Sequence, residues 1–505
     1  MFVRNPDLKM PLALGIGVGL IYLAFMPPLI WGIDGNAMLE VAESLVIDHD
    51  FRVSPRTGAL GADGYYYSKW YPLLPVLAVP FVALGIALSE IVNLPAHYTA
   101  AVCALTLSPL LTAATTALVA LLALRLGSDR RGACLAALSF AFGTIALTYT
   151  GYFFAEPLLA FLTVASLYFG LGSTRKEIIG ASLFAGINLL AKPPGGIVGP
   201  ILSAYLFFKK RPLATTLLPL VSTIIFVIVY GIYNYMRFGD PLFFGHAWIS
   251  EVPSQVGSAI IEQQSSSEPA ETGQQQEGIL EAILLKLSVP AKGIFGLLLS
   301  PGRGLLWYCP PVILAFLGFY KALKTKPLEA LTIITVFLGL LLIYSGAWWA
   351  GGWAWGPRYL LPALPGLFAL TALLKKHWRN VLIALTVIGF IVNAPTMVSF
   401  YQRYYVEMNE QKISREASLW SLEHAPFRHS WYTASGQIRD ALNSNVKDVV
   451  DSAGKPEKRG ETLRIVSVWW WMLPAVGIPL WVGGLLALLL VGAGIGIISA
   501  GAFVK

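Results

Sequence analysis

Charge is scarce in this chain. Of 505 residues, 13% are Asp, Glu, Lys or Arg and 56% are hydrophobic, against roughly 25% charged in soluble domains. A soluble domain is thereby excluded. The length and the apolar runs predict an all-α polytopic membrane protein of about 12 transmembrane helices. Cysteine is scarce too. Cys103, Cys134 and Cys309 lie in or beside apolar segments, which excludes a disulfide framework and leaves them as small packing residues. Zinc-ligand spacing, a phosphate-binding Walker loop, a Gly-x-Ser-x-Gly nucleophile turn and heptads are all missing, so no cofactor is expected. The net charge is +8, but the basic residues occupy short loops between apolar runs. No nucleic-acid partner is expected, and membrane lipids are the surroundings.

What is present is a regular series of apolar runs. They place spans near 11–32, 98–125, 133–152, 157–172, 177–193, 194–208, 213–235, 304–321, 328–346, 359–374, 380–397 and 472–500. The first is long for a signal peptide and no small-residue cleavage site follows it, so it reads as a retained helix. The run at 72–92 begins with Pro72, Pro75 and Pro80 and ends at Glu90. Left out of the span count, as an element lying in the outer interface, it makes the basic loops agree. Arg4/Lys9, Arg125/Arg130/Arg131, Arg175/Lys176, Lys209/Lys210/Arg211, Lys321/Lys324/Lys326 and Lys375/Lys376/Arg379 then share the cytoplasmic side, with the N-terminus. The pair 177–193 and 194–208 is interrupted by Lys192-Pro193-Pro194-Gly195-Gly196 and reads as broken or tilted helices.

This topology collects the unusual polar residues outside the membrane. Asp34 follows the first span. Lys69 lies in the first outer loop beside Tyr66 and Tyr67. Glu156 sits between two spans, Lys192 at the tip of the broken pair, and His246 at the start of a long outer loop. Arg303 and Arg358 each precede a span. Charged residues at a membrane edge commonly snorkel and aromatics form a belt there. Seven on one face point instead to a site. The expected organisation is a transmembrane catalytic module over 1–400, including a first outer loop at 33–97 with interfacial helices and a flexible outer loop at 237–290. A cap-like segment at 401–470 and a last transmembrane helix within 471–505 follow, with Trp469, Trp470 and Trp471 at the interface.

One carboxylate among several cations suits glycosyl transfer from a sugar carried on a polyprenyl phosphate. The acceptor hydroxyl needs a base, for which Asp34 is the candidate. The departing phosphate needs positive charge rather than a general acid, for which Lys69, Lys192, Arg303 and Arg358 are candidates. Asp34-Gly35-Asn36 lacks the second acid of an Asp-x-Asp pair, so no metal is assigned. A transporter or flippase of a lipid-linked sugar, and an envelope polysaccharide polymerase or ligase using a diphosphate-linked oligosaccharide, remain alternatives.

Four elements in order resemble the GT-C superfamily of membrane glycosyltransferases, in its protein O-mannosyltransferase and aminoarabinose transferase-like branch. They are Asp34 with Lys69-Trp70-Tyr71-Pro72-Leu73 downstream, Glu156-Pro157, Lys192-Pro193, and Gly356-Pro357-Arg358-Tyr359 leading to Pro362 and Pro365. The resemblance covers roughly residues 10–400. It implies a GT-C fold with a juxtamembrane element after Lys69, and Asp34 as catalytic base. It also implies that Lys69, Lys192 and Arg358 contact the donor phosphate and that Glu156 shapes the site. Arg303, in a Gly-Leu-Leu-Trp-Tyr-x-Pro element, takes a donor role, and Tyr66, Tyr67 and His246 support the site. The implied partners are a polyprenyl-phosphate sugar and a glycan, lipid or protein acceptor. The implied reaction inverts the anomeric centre at the outer face of a bacterial plasma membrane. The single acid at position 34, where protein mannosyltransferases carry an Asp-Glu pair, favours a cell-envelope acceptor.

Overall fold

Backbone amides in hydrocarbon must be paired within their own segment, and the chain meets this demand with helices almost throughout. The computed structural model describes residues 8–243, 290–346, 348–451 and 464–503. Among these, six helices are long and apolar enough to cross a membrane: Leu73–Val92, Ala96–Arg125, Leu213–Phe238, Pro327–Tyr344, Lys376–Met397 and Leu480–Ala502. Shorter apolar helices run over Lys9–Ala24, Ala155–Gly170, Pro193–Phe208 and Pro290–Leu299. The only strands among the described residues form an antiparallel hairpin of Gly58–Leu60 and Tyr66–Ser68, with Ala59 opposite Tyr67.

Prolines divide several apolar runs. The first helix stops at Ala24, short of the expected 32, because Pro27 and Pro28 cannot donate the next helical hydrogen bonds. Its last carbonyls are capped from far along the chain. The indole Nε1 groups of Trp469 and Trp470 donate to Leu23 O and Ala24 O, each at 2.9 Å. The tryptophan triplet thus closes one helix as it introduces the last, Leu480–Phe503. Those two helices pack through glycines. A Cβ on Gly17 would lie 2.6 Å from Gly494 O, a spacing that only small residues allow.

The expected spans at 304–321 and 359–374 likewise begin as short turns before their prolines and continue as Ile313–Thr325 and Leu364–Thr371. Leu73–Val92 is a continuous 20-residue helix, long enough by length and composition to cross a membrane. Of the long outer loop expected over 237–290, only 237–243 and 290 lie within the described residues. The segment after 401 contains the helices Gln402–Glu410, Arg415–Trp420, Pro426–Leu442 and Val446–Asp451.

The basic loops meet at one end of the bundle. Arg125 pairs with Glu177 at 2.5 Å, Lys209 with Glu329 at 2.8 Å and Arg379 with Asp129 at 2.5 Å. Lys326 Nζ donates to Arg125 O at 2.5 Å. Two helices measure the distance from these loops to the polar residues. Glu156 opens the 16-residue helix Ala155–Gly170, which ends beside the Arg125 loop, and Lys192 follows the 17-residue helix that Arg175 begins. At 1.5 Å per residue, each spans about 25 Å. The shared side of the basic loops and the opposite placement of the acids and lysines are therefore both features of the fold.

The chain brings Asp34 to Glu156 by a close approach at Gly35. After Pro28 the backbone runs to Gly32, whose φ of 103° is open to glycine and strained for side chains, and the helix Ile33–Ile47 starts there. A Cβ on Gly35 would sit 2.7 Å from Ile30 Cγ2 and 3.1 Å from Phe153 O. This glycine lays the first turn, with Asp34, against the segment leading to Glu156. Gly35→Val is expected to cost about 1–3 kcal/mol by overpacking, at the turn that carries Asp34. Gly484→Ala, where a Cβ meets nothing within 4 Å, is expected to leave stability unchanged. Thermal unfolding of the two purified variants in detergent checks this.

Candidate functional site

Four of the expected residues converge although 324 positions separate the first from the last. Lys192 Nζ lies 2.8 Å from Glu156 Oε1, Arg358 Nη2 lies 3.4 Å from Asp34 Oδ2, and Arg358 Nε lies 3.9 Å from Glu156 Oε1. Each is placed by a break in regular structure. Asp34 occupies the first turn of Ile33–Ile47 and Glu156 the first turn of Ala155–Gly170, positions where helix dipoles favour carboxylates. Lys192 has an extended backbone (φ −170°, ψ 132°) between the end of one helix and the Pro193–Ile197 turn. Arg358 opens the turn Arg358–Ala363, just after Gly356 at φ 58°.

The two carboxylates differ in access. The Glu156 side chain is 4% exposed and Asp34's is 26% exposed. Glu156 is held by two cations in the interior, and Asp34 is the acid that an entering molecule can reach.

Tyrosines form the other wall. Lys192 Nζ sits 4.4 Å from the Tyr359 ring centroid and 5.4 Å from that of Tyr344, and the two rings stack at 4.6 Å. Arg358 Nη2 donates to Tyr359 OH at 3.4 Å. Two buried polar atoms here, Arg358 Nε and Tyr344 OH, have no hydrogen-bond partner among the described residues. Buried polar atoms are nearly always paired, so this pair marks where an external acceptor oxygen would be favoured.

Lys69 is the third cation. It follows the hairpin, and it lies within the field of Asp34. Burial holds its ammonium below the ordinary lysine range, with Asp34's charge acting in the opposite direction. Among the described residues it makes no ion pair or hydrogen bond, and its Nζ lies 5.3 Å from the Trp70 ring centroid. Arg237, at the end of the helix Leu213–Phe238, positions it: Arg237 Nη1 donates to Ser68 O at 2.5 Å, and Ala62 N donates to Arg237 O at 2.9 Å.

Arg303 does not join the cluster. It is buried, and its three nitrogens donate to backbone: Nε to Ala350 O at 2.7 Å, Nη1 to Gly302 O at 2.8 Å and Nη2 to Gly352 O at 2.7 Å. It clamps the Gly-rich loop that precedes Arg358, which turns through Gly351 and Gly352 at φ 63° and 61°. Tyr405 OH donates to Ala354 O at 2.7 Å, and Trp355 N donates to Tyr149 OH at 3.0 Å, so this loop is gripped from three directions. Tyr67 is also structural in this arrangement. Its hydroxyl donates to Asp63 Oδ2 at 2.7 Å and its ring meets Phe238 edge-on. Tyr66 pairs opposite Leu60 in the hairpin. His246 lies outside the described residues.

Tyr344, Tyr230 and Arg237 carried no sequence signal, and Tyr71 and Tyr359 stood in the motifs around Lys69 and Arg358 without a role of their own. Tyr344 ends an apolar helix with nothing to distinguish it. Tyr71 faces Tyr230 at 6.3 Å, and beyond Tyr230 an open apolar groove of about 480 Å³ runs between Leu189, Pro193, Val227 and Gly231. Pro193, which lines this groove, follows Lys192 in the chain. Among the described residues there is no group of three or more His, Cys, Asp or Glu side chains that could hold a metal ion.

No family model and no curated protein matches the sequence. Among solved structures the chain is similar to ArnT from Cupriavidus metallidurans bound to undecaprenyl phosphate, at 15% identity over 97% of this chain and 76% of that one, with a TM-score of 0.46. It is similar to AglB, the archaeal oligosaccharyltransferase from Archaeoglobus fulgidus, in complex with an inhibitory peptide and a dolichol-phosphate. There the identity is 14% over 84% of this chain and 59% of that one, with a TM-score of 0.48. The A. fulgidus oligosaccharyltransferase tethered with an acceptor peptide gives 14% identity over 81% and 57%, with a TM-score of 0.49. At these identities and TM-scores the likeness assigns no residue a role.

The geometry generates two expectations. Arg303→Gln should loosen the loop that carries Arg358 and lower stability by several kcal/mol, since a buried, fully hydrogen-bonded cation is lost. Thermal unfolding measures this. Burial holds Lys69 below the ordinary lysine range, so its amine should become reactive toward an amine-directed reagent at a lower pH than an ordinary lysine's. Labelling across pH, with Lys69→Arg as the blank, checks this.

Proposed function

We propose that the protein transfers a monosaccharide from a polyprenyl-phosphate donor to a cell-envelope acceptor, at the membrane face where Asp34 lies, with inversion at the anomeric carbon. The observation that carries the proposal is the cluster itself. One reachable carboxylate, Asp34, stands beside Arg358, which shares Glu156 with Lys192, and Lys69 is within the field of Asp34. Arg358 Nε, in ion-pair but not hydrogen-bond range of Glu156, and the Tyr344 OH both lack a hydrogen-bond partner among the described residues.

The donor phosphate binds against Lys69, Lys192 and Arg358. Its isoprenoid tail leaves along the apolar groove between Pro193, Tyr230 and Val227, with the remainder in lipid. The acceptor hydroxyl approaches the anomeric carbon from the side opposite the phosphate. Its oxygen forms the new bond to carbon and its proton passes to Asp34. The bond from carbon to the phosphate oxygen breaks, leaving its electron pair on the phosphate. The cations stabilise the charge that develops there, the main catalytic contribution available to a site without a general acid. Glu156 keeps Lys192 and Arg358 in place. Arg303 acts at one remove, by holding the loop that ends in Arg358. In this orientation the basic loops at the far end of the bundle face the cytoplasm of a bacterial cell.

Asp34→Asn is expected to insert and fold as the wild type does and to lose about 10²–10⁴-fold in kcat, while still binding a polyprenyl phosphate. Purified enzyme with a synthetic polyprenyl-phosphate sugar, and glycan mass spectrometry of cells with and without the gene to supply the acceptor, make the measurement. Full activity in Asp34→Asn would remove Asp34 as the base.

A further inference from the structure

The helix Pro426–Leu442 has its polarity reversed. A helix standing in water buries its large apolar side chains and exposes its polar ones. Here the buried residues are Pro426, Ser430, Thr433, Ala434, Gln437 and Ala441. The exposed ones include Trp431, Tyr432, Ile438 and Leu442, with Tyr432 at 75% and Leu442 at 70%. The polar groups turned inward are used. Gln437 Nε2 donates to Ile465 O, Gln437 Oε1 accepts from Phe400 N, and the Thr433 hydroxyl donates to Glu407 Oε2. The exposed residues from Arg428 to Leu442 fall within an arc of about 120° around the helix. That stripe suits an apolar medium on its side of the helix.

The helix is seated at membrane depth. Trp431 Nε1 donates to Ile391 O at 3.1 Å. Ile391 belongs to Lys376–Met397, which is long and apolar enough to cross a membrane, and it is exposed there with Val387 and Ile388. Along that axis Ile391 lies about 22 Å from Lys376, less than the hydrocarbon thickness of about 30 Å. Two residues on, Asn393 accepts from Trp355 Nε1, in the loop before Arg358, so Trp431 extends a lipid-facing stripe at the end of the bundle that holds Arg358. The charges agree with this placement. Arg428 and Arg439 are on the exposed face, about 16 Å apart along the axis, and neither has an ion pair among the described residues. The helix's one acid, Asp440, is engaged by Arg403 Nη2 at 2.6 Å. Unneutralised arginines among exposed Trp, Tyr and Leu side chains suit a helix lying on an anionic lipid surface.

We propose that Pro426–Leu442 is a lipid-binding surface. It lies in the plane of the membrane interface, with Trp431, Tyr432, Ile438 and Leu442 at the boundary of headgroups and acyl chains and with Arg428 and Arg439 on anionic headgroups. The segment after 401 is thereby held to the membrane rather than standing clear of it. The start of the same helix braces the loop that ends in Arg358. Phe427 stacks on Trp307 at 5.4 Å and meets the Tyr308 ring edge-on at 5.8 Å, and the Tyr308 ring lies 2.7 Å from where a Cβ on Gly356 would be. The inference does not depend on the glycosyl-transfer reading.

The test places a nitroxide at position 432 through Tyr432→Cys, in the full chain in nanodiscs. It reads the label's collisions with oxygen, which concentrates in lipid, and with a water-soluble nickel chelate. Wild type labelled in the same way is the blank for Cys103, Cys134 and Cys309. Leu442→Cys, on the same face, serves if Tyr432→Cys does not fold. In discs containing phosphatidylglycerol, the ratio of oxygen to chelate collisions should be several-fold above that of the free label in water. Discs of phosphatidylcholine alone should lower the ratio, and Arg428→Gln combined with Arg439→Gln should abolish the difference between the two lipids. Collisions mainly with the chelate would put the face in water. Collisions with neither would mean that protein covers it, such as a second copy of the chain. Either result overturns the proposal, and a ratio indifferent to phosphatidylglycerol overturns the assignment of the arginines to anionic headgroups.

Discussion

Everything at the candidate site depends on one buried carboxylate shared by two cations. Glu156 Oε1 meets Lys192 Nζ at 2.8 Å and Arg358 Nε at 3.9 Å, at a position only 3% exposed. Burying an isolated charge is prohibitive, and breaking a buried pair by removing one partner typically costs about 3–5 kcal/mol. The three elements that contribute these residues are therefore tied to one another: the helix starting at Ala155, the break after Ala191 and the turn at Arg358. Asp34 joins through the same arginine at 3.4 Å. Its 26% exposure shows why two acids in one cluster can serve different ends, one holding the cations and one meeting whatever enters.

Around that centre the fold spends its irregularities. Proline and glycine interrupt apolar helices at Gly32, Gly35, Lys192-Pro193 and Gly356-Pro357, and at each interruption a charged side chain turns toward the others. Irregular backbone at this depth is tolerated where protein satisfies its polar groups. Arg303 does this for the loop before Arg358, with hydrogen bonds to Ala350 O and Gly352 O. The tryptophans at 469 and 470 do it for the end of the first helix.

Much of this was legible in the sequence. The apolar runs gave the helices nearly in register, since lipid leaves the backbone few choices, and the loop arginines and lysines placed Asp34, Glu156, Lys192 and Arg358 at one end. Common sidedness was visible, but contact was not. Nothing in the residues alone could say that Arg358 bridges Asp34 and Glu156. Arg303 shows the limit: as a lone cation before a span it had the same pattern as Arg358, and only the carbonyls around it reveal that its donors are used within the protein. Tyr344 was hidden for the opposite reason, because a tyrosine at the end of an apolar helix is what an interfacial aromatic belt also requires. The prolines at 27 and 28 shortened the first helix below the length the hydrophobic run suggested.

The central claim is that Lys69, Lys192 and Arg358 receive a lipid-borne phosphate beside Asp34. The most direct measurement is a structure of the protein with a polyprenyl phosphate bound. The account predicts the phosphate within hydrogen-bonding distance of Lys69 Nζ and the Arg358 guanidinium, with the first isoprene units in the groove beside Pro193 and Tyr230. A phosphate bound at the opposite end of the bundle, among the loop residues Arg125, Lys209 and Lys326, would contradict it.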